Sequence, residues 1–193
     1  MKDKNLGYDT GTAPAVRKHI ADFILKTHIN LPNKAGRLLE IGPQERSLVK
    51  ETFVGFDYSS LDVVNKHHPT YVGDITLVNE LIPDGHFDCV VCMEVLEHCI
   101  QPFEAIIELR RMLKDGGLLM LSSPLNWRIH GPIPDCWRFT EHGYKVLLKD
   151  FDIVEMDILE TPERDLFPLH YNVLAYKDAC KNVDPKTLQF RRI

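Results

Sequence analysis

The sequence lacks several features that mark common classes of protein. It has no run of about 18 apolar residues, so no membrane-spanning helix is predicted, and its first residues carry no apolar signal core. Its 23 lysines and arginines form no block or stripe and are outnumbered by 28 acids, so the charge pattern gives nucleic-acid binding no support. We therefore expect a cytoplasmic protein with no nucleic-acid partner and no membrane partner.

Cysteine is also scarce, with five residues in 193. Cys89 and Cys92 form a C-x-x-C pair, but no second pair follows that would complete a zinc site. The pair lies inside an apolar run with the character of a strand, in which residues three apart point to opposite faces. We interpret both residues as buried core thiols, and we expect no metal.

Four apolar runs in the first half of the chain each end in an acid. The first run ends at Glu40 and is followed by Gly42, and later runs end at Asp57, Asp74 and Glu94. Such runs are typical of buried parallel strands, and an acid at a strand end pairs with a polar part of a ligand. We predict a cleft of hydrogen-bond acceptors along one sheet edge, where Asp57 accepts hydrogen bonds from the hydroxyls of a ribose.

The order and spacing of these motifs resemble class I S-adenosylmethionine-dependent methyltransferases of the small Rossmann-like kind. The matching strings are LLEIG at 38–42, VGFD at 54–57, VGD at 72–74, FDCVVCMEVLEH at 87–98 and LRRMLKDGGLLMLSSP at 109–124. The resemblance implies a three-layer α/β fold whose seven-stranded sheet is mostly parallel with an antiparallel edge strand. It also implies methyl transfer from S-adenosylmethionine to an oxygen or nitrogen of a small-molecule acceptor, with sugars and secondary metabolites as candidates.

The resemblance also implies which residues contact the cofactor, from its methionine end to its adenine. They are Glu40, Gly42, Gln44, Asp57, Tyr58, Asp74, Ile75, Met93 and Glu94. Gln44 departs from the family, which has a second glycine there, and its side chain either hydrogen-bonds the cofactor or obstructs it. Tyr58 either stacks near the adenine or is an ordinary half-buried aromatic, and Asp74 also fits a helix N-cap.

Residues 124–144 form an unusual segment with three prolines, two tryptophans and two histidines. A polar and aromatic loop after the fifth strand lies above the same sheet edge, where α/β enzymes build substrate pockets. Its W-R-F-T string resembles a variant found among glycan and secondary-metabolite methyltransferases. Trp137 and Arg138 either contact the acceptor or anchor this substrate loop.

Three residues are candidates for a catalytic base, should the acceptor lose a proton. His130 and Asp135 belong to the substrate loop. His98 follows the fourth strand, and imidazole is the side chain that most often transfers protons in enzymes. Its structural alternative is a hydrogen bond from the ring to a backbone carbonyl across the cleft.

We predict a single domain over residues 1–193, which is enough chain for a three-layer core. Residues 1–35 form a helical cover, either over one sheet face or as a lid whose Tyr8 or Arg17 touches the cofactor. Residues 177–193 form a charged tail.

Two other functions stay open at this point. A nicotinamide-dependent oxidoreductase shares the strand-ending acid, although the G-x-G-x-x-G motif is missing. A non-catalytic S-adenosylmethionine-binding module that acts with a protein partner is the second, because Gln44 and the short link to the second strand depart from the family pattern. We expect a monomer or a homodimer.

Overall fold

A seven-stranded sheet forms the centre of the structure, a computed structural model that describes residues 7–44 and 47–177, the side chains of residues 7–12 excepted. The strands are β1 (Gly36–Ile41), β2 (Phe56–Asp62), β3 (Tyr71–Val72), β4 (Phe87–Met93), β5 (Leu113–Pro124), β6 (Phe151–Glu160) and β7 (Pro168–Lys177). The helices are α1 (Gly7–Asn30), α2 (Leu48–Thr52), α3 (Pro102–Met112) and α4 (Glu141–Leu147), with short 3-10 turns at Asn65–His67 and Leu96–His98.

The strands follow the order β3-β2-β1-β4-β5-β7-β6 across the sheet. Strands β1 to β5 pair in parallel, and β7 runs antiparallel to both of its neighbours, β5 and β6. From β1 the chain forms β2 and β3 on one side of that strand and then crosses to form β4 on its other side. The carboxyl ends of β1 and β4 therefore flank the crevice where ligands bind in open α/β sheets. The predicted α/β fold is confirmed, with its antiparallel pairing at the β5–β7–β6 end.

Each face of the sheet buries its own apolar layer. Phe23 of α1 packs with one layer, and Leu109 of α3 belongs to the other. Cys89 lies in the α1 layer and Cys92 in the α3 layer, and both are buried free thiols. The predicted placement of the C-x-x-C pair on opposite faces of one strand is confirmed.

Helix α1 lies within the helical cover predicted for residues 1–35. Its buried apolar residues are Val16, Ile20, Phe23 and Ile24. Arg17 is exposed, whereas the side chain of Tyr8 and all of the predicted tail after Lys177 lie outside the described residues. No helix in the part of the chain that the structure describes has the length and apolar content to cross a bilayer.

The second strand begins later than predicted. The sequence pattern indicated a strand that ends at Asp57, whereas β2 runs from Phe56 to Asp62. Phe53 instead closes the five-residue helix α2 and is buried in the α1 layer. The strand itself reads F-D-Y-S-S-L-D, and it lies near the edge of the sheet, where polar residues are tolerated. A search of the sequence for apolar runs therefore detects the residues just before this polar strand and misses most of the strand itself.

Arg111 ties α3 to the segment before β4. Its guanidinium donates to both carboxylate oxygens of Glu108 at 2.7 Å, to the Ile82 carbonyl at 2.7 Å and to the Asn79 carbonyl at 3.2 Å. Glu108 is buried and also accepts the Asn79 N–H at 2.8 Å. A buried carboxylate needs such partners to offset its lost hydration.

We expect Arg111→Ala to lower the free energy of unfolding by about 3 kcal/mol, because Glu108 would stay buried without its charged partner. Lys18→Ala is the matched control, since it removes only the exposed ion pair between Lys18 and Asp22 and should change stability little. Urea unfolding followed by circular dichroism measures both variants. Equal unfolding midpoints for the two would contradict this role of Arg111.

Candidate active site

The carboxyl ends of β1 and β2 meet at one edge of the sheet, and Gly42 marks that edge. Gly42 has a φ of 62°, a conformation that favours glycine, and its N–H donates to the Leu61 carbonyl at 2.9 Å. A Cβ at this position would lie 3.1 Å from Cγ2 of Val95. Asp62, the last residue of β2, follows directly on Leu61, which pairs with Ile41. The turn after β1 therefore lies beside a strand-ending acid, but that acid is Asp62.

Asp57 lies at the other end of β2, where the parallel strands begin. It pairs with Arg37 near the start of β1, and its side chain is exposed. Asp57 and Asp62 are five positions apart in the strand, a distance of about 17 Å. The prediction that Asp57 ends the second strand is wrong, because the strand begins at Phe56. The ribose contact predicted for Asp57 depended on that strand-end position. The signal for Asp62 was present as an acid directly after the apolar Leu61.

Glu40 finds its partner within the protein. The Tyr58 hydroxyl donates to Oε2 of Glu40 at 2.6 Å. Burial raises the pKa of Tyr58, and the adjacent Glu40 carboxylate raises it further, so the phenol stays protonated as a donor. The Tyr58 ring also lies 5.5 Å below Nζ of Lys50 and packs on the α1 layer. An adenine contact by Tyr58 stays a prediction.

Gln44 occupies the position where the resembled family has its second glycine. Its φ is 53°, which is the left-handed conformation that glycine adopts most readily, and its side chain is exposed. The backbone of this turn therefore keeps the glycine-type conformation although the side chain is long. Glu45 and Arg46, the next residues of the turn, lie outside the described residues.

Asp74 and Ile75 follow β3, as predicted for residues near an adenine. Oδ1 of Asp74 accepts from the backbone N–H and the hydroxyl of Thr76, both at 2.8 Å, so Asp74 closes a turn and caps no helix. Ile75 is buried in the α3 layer. Burial, together with the charge of Asp74, raises the pKa of Cys99 to about 12, which places Asp74 near the turn after β4. Their contacts with adenine stay predictions.

Met93 ends β4, and Glu94 follows it with a φ of 56°. The Glu94 carboxylate accepts from the Ser122 hydroxyl at 2.9 Å, and its Oε1 lies 2.7 Å from Nε2 of His170. Burial alone would raise the pKa of Glu94, but His170 and Ser122 hold it below its usual value. A carboxylate is therefore kept ionised at the centre of the predicted reaction site.

Two histidines, His170 and His19, connect Glu94 to helix α1. Nδ1 of the buried His170 lies 3.1 Å from Nδ1 of His19 in α1, and Nε2 of His19 lies 3.1 Å from Asp157 on β6. Because its Nε2 faces the Glu94 carboxylate, His170 donates there. These contacts fix α1 against the strands that carry the site.

The substrate loop is held together around Asp135. Arg138 donates to both oxygens of Asp135 at 2.5 and 2.8 Å. The His130 backbone N–H donates to Oδ2 of Asp135 at 2.9 Å, and Nδ1 of the same ring lies 3.1 Å from that oxygen. The bidentate Arg138 contact holds the pKa of Asp135 well below its usual range. Asp135 is therefore a weak base that orients His130.

Four hydrogen bonds attach the substrate loop to the turn after β4. The N–H groups of Cys136 and Trp137 donate to the Glu97 carbonyl at 2.7 and 3.1 Å. The Trp137 indole donates to the Cys99 carbonyl at 2.8 Å, and Nδ1 of His98 lies 2.9 Å from the Pro134 carbonyl. Trp137 and Arg138 thus anchor the loop, one of their two predicted roles, and His98 makes the carbonyl contact of its structural alternative. Acceptor contacts by these residues stay predictions.

Comparison with known proteins identifies the class to which this site belongs. A family model described as a methyltransferase domain matches residues 14–152, well over half of the chain. The chain belongs to this family. Membership confirms the predicted methyltransferase enzyme with S-adenosylmethionine as its methyl donor, and it decides against the nicotinamide-dependent alternative.

Solved structures share the fold at low sequence identity. A SAM-dependent methyltransferase from Archaeoglobus fulgidus aligns with a TM-score of 0.65 and 16% identity, over 83% of this chain and 94% of that chain. The Burkholderia thailandensis 1,6-didemethyltoxoflavin-N1-methyltransferase, solved with its substrate and S-adenosylhomocysteine, aligns at 0.59 and 17%, over 82% and 76%. The [4+2]-cyclase SpnF aligns at 0.64 and 14%, over 82% and 80%. The last likeness shows that this fold alone does not set the reaction.

A curated relative matches a smaller part of the chain. The highly reducing polyketide synthase sthA of Phaeosphaeria nodorum is 29% identical over 98 residues, which cover 41% of this chain. The chain spans only about 3% of the length of that protein.

We expect Asp62→Asn to weaken binding of S-adenosylhomocysteine at least tenfold, or about 1.4 kcal/mol, because it removes the charge beside the turn after β1. The asparagine oxygen can still accept the Val64 N–H that Oδ1 of Asp62 accepts at 3.0 Å, so the fold should persist. Asp57→Asn, the matched control at the other end of the strand, should leave affinity unchanged within about twofold. Calorimetric titration measures both, and a loss confined to Asp57→Asn would reverse the assignment.

Proposed function

We propose that this enzyme transfers a methyl group from S-adenosylmethionine to an oxygen or nitrogen of a small acceptor, such as a sugar or a secondary metabolite. The acceptor binds between the end of β4 and the substrate loop, residues 124–144. The observation that carries this proposal is the attachment of the polar loop to the turn after β4, directly beside Glu94.

The carboxyl edge of the sheet suits the cofactor. The positive φ of Gly42 favours glycine, and a Cβ there would crowd Val95, while the exposed turn at Gln44 offers backbone N–H groups that suit the cofactor carboxylate. Asp62 is the acid suited to the ribose hydroxyls. The ionised Glu94 places negative charge near the positively charged sulfonium, as electrostatic complementarity requires.

Methyl transfer from this cofactor depends more on the alignment of the acceptor than on acid or base catalysis. The bound cofactor supplies an electrophilic methyl group whose leaving sulfur is already activated. The protein has to hold the acceptor atom in line with that methyl group, within about 3–3.5 Å. Asp135 and Arg138 fix the loop wall for this purpose, and the lone pair on Nε2 of His130 is the group suited to receive a proton from a hydroxyl acceptor.

Two relatives support a secondary-metabolite acceptor. One is named for N-methylation of a toxoflavin precursor, and the other is a polyketide synthase. The exposed Ile129 and Ile133 side chains would give the loop apolar contact area beside its polar groups. We also expect a monomer or homodimer that acts without nucleic acid or a membrane.

An acceptor screen tests the proposal. Release of S-adenosylhomocysteine is measured across sugars, phenols, amines and polyketide-like compounds, and mass spectrometry of the product assigns the methylated atom. Turnover with one class at an oxygen or nitrogen is the expected result. Methylation at carbon, or tight cofactor binding without turnover on any class, would contradict the proposal.

We expect Arg138→Ala to raise the KM for the acceptor at least tenfold, because the loop loses the bidentate contact that holds Asp135 and His130. Binding of S-adenosylhomocysteine should change little. Arg164→Ala is the matched control, since Arg164 stacks on Phe167 in the connection between β6 and β7. Steady-state kinetics and calorimetry measure both variants. A loss of cofactor affinity with an unchanged acceptor KM would contradict the placement of Arg138 on the acceptor side of the site.

A further inference from the structure

Glu97 is the buried acid that the proposed reaction leaves unused. Its side chain is fully buried, and neither carboxylate oxygen meets a hydrogen-bond donor in the part of the chain that the structure describes. A buried polar group without a partner costs free energy and calls for an explanation by an ion or a ligand. Two N–H groups of the substrate loop donate to the Glu97 carbonyl. They fix the position of the Glu97 backbone, from which the side chain extends.

Two imidazole nitrogens face this carboxylate. Nε2 of His98 and Nε2 of His130 each lie 3.8 Å from Oε1 of Glu97, and the three atoms all lie within 4.8 Å of one another. Nε2 of His98 is buried and also lacks a hydrogen-bond partner. The two rings pack edge to face with their centroids 5.0 Å apart. These separations are too long for direct hydrogen bonds.

The tautomers of both rings follow from their other nitrogens. Nδ1 of His98 faces the Pro134 carbonyl and Nδ1 of His130 faces the Asp135 carboxylate, and both oxygens can only accept. In the neutral rings each Nδ1 therefore carries the proton, and each Nε2 presents a lone pair toward Glu97. Three acceptor atoms thus converge with no donor between them.

We propose that Glu97, His98 and His130 bind one divalent transition-metal ion. Two imidazoles and a carboxylate form a ligand set found for zinc and related ions. Metal–ligand bonds of about 2.0–2.2 Å place tetrahedral ligands about 3.4 Å apart. Side-chain movements would therefore shorten the two separations of 3.8 Å and the remaining one, which is within 4.8 Å. Pro134 and Asp135 hold the opposite nitrogens, which is how metal-binding histidines are usually oriented.

The burial of Glu97 agrees with this assignment. A fully buried carboxylate that meets no hydrogen-bond donor is stabilised when a bound cation balances its charge. Sequence reasoning missed the site because Glu97 lies in a turn of three residues, and because His130 is 33 residues further along the chain.

The remaining coordination positions open on the substrate loop, where the His130 side chain is partly exposed. If the proposed function holds, an oxygen of the acceptor occupies one of them, and the cation lowers the pKa of its hydroxyl. With the cation bound, Nε2 of His130 is a ligand and no longer the base, and the hydroxyl proton passes to solvent. This consequence rests on the proposed function, whereas metal binding does not.

Titration of untagged full-length protein tests the site. After dialysis against a chelator, Zn²⁺ is titrated by calorimetry and Co²⁺ by absorbance, and one ion per chain is expected to bind. Glu97→Gln and His130→Asn should each weaken binding at least tenfold, whereas the control His68→Asn should not, because His68 is exposed and has a left-handed backbone that asparagine tolerates. Circular dichroism establishes that each variant is folded, and Asp135→Asn, which leaves Glu97 in place, should weaken binding less.

Absence of stoichiometric binding, or equal binding by His130→Asn and His68→Asn, would overturn the proposal. The activity assay separates it from the function proposed above. Loss of methyl transfer on chelation, with unchanged S-adenosylhomocysteine affinity and recovery on adding Zn²⁺, would support the acceptor role. Stoichiometric binding with unchanged turnover after chelation would retain the metal site and reject that role.

Discussion

Negative charge buried along the carboxyl edge of the sheet is the constraint on which the site depends. Glu40, Glu94 and Asp135 are largely shielded from water, and an unpaired carboxylate in such a place costs several kcal/mol. Their partners come from different parts of the fold, because Tyr58 lies on β2, His170 on β7 and Arg138 on the loop after β5. Satisfying the acids therefore assembles the edge from several elements, and Glu97 is the acid that this arrangement leaves for a cation.

The same pairing sets how the two covering segments meet the sheet. His19 connects α1 to His170 and so to Glu94, while the N–H groups of Cys136 and Trp137 hold the loop on the turn after β4. Both covers are thus attached to the strand end that carries the predicted reaction centre. A site of this kind is organised before any ligand arrives, which is what positioning of an acceptor requires.

The sequence was most informative where structure is local and apolar. The alternation through Cys89 and Cys92 correctly predicted one residue in each buried layer, because strand periodicity is a property of the backbone. It misled at Asp57, because β2 is polar and its start cannot be told from the end of the preceding apolar run. The His170–Glu94 and His98–His130 contacts join residues 76 and 32 positions apart. Such contacts follow from topology, which spacing along one sequence does not reveal.

The placement of the cysteines also determines where the molecule reacts with thiol reagents. Cys89 and Cys92 face different sides of one strand and are shielded by packed side chains, so they cannot form a disulfide with each other and are inaccessible to alkylation. Cys136 is the exposed cysteine within the described residues, and its backbone N–H donates to the Glu97 carbonyl. A fluorescent label at that sulfur, with Cys180 replaced by serine, would sit on the covering loop itself. Its emission would then report whether the surroundings of the substrate loop change when cofactor and acceptor bind.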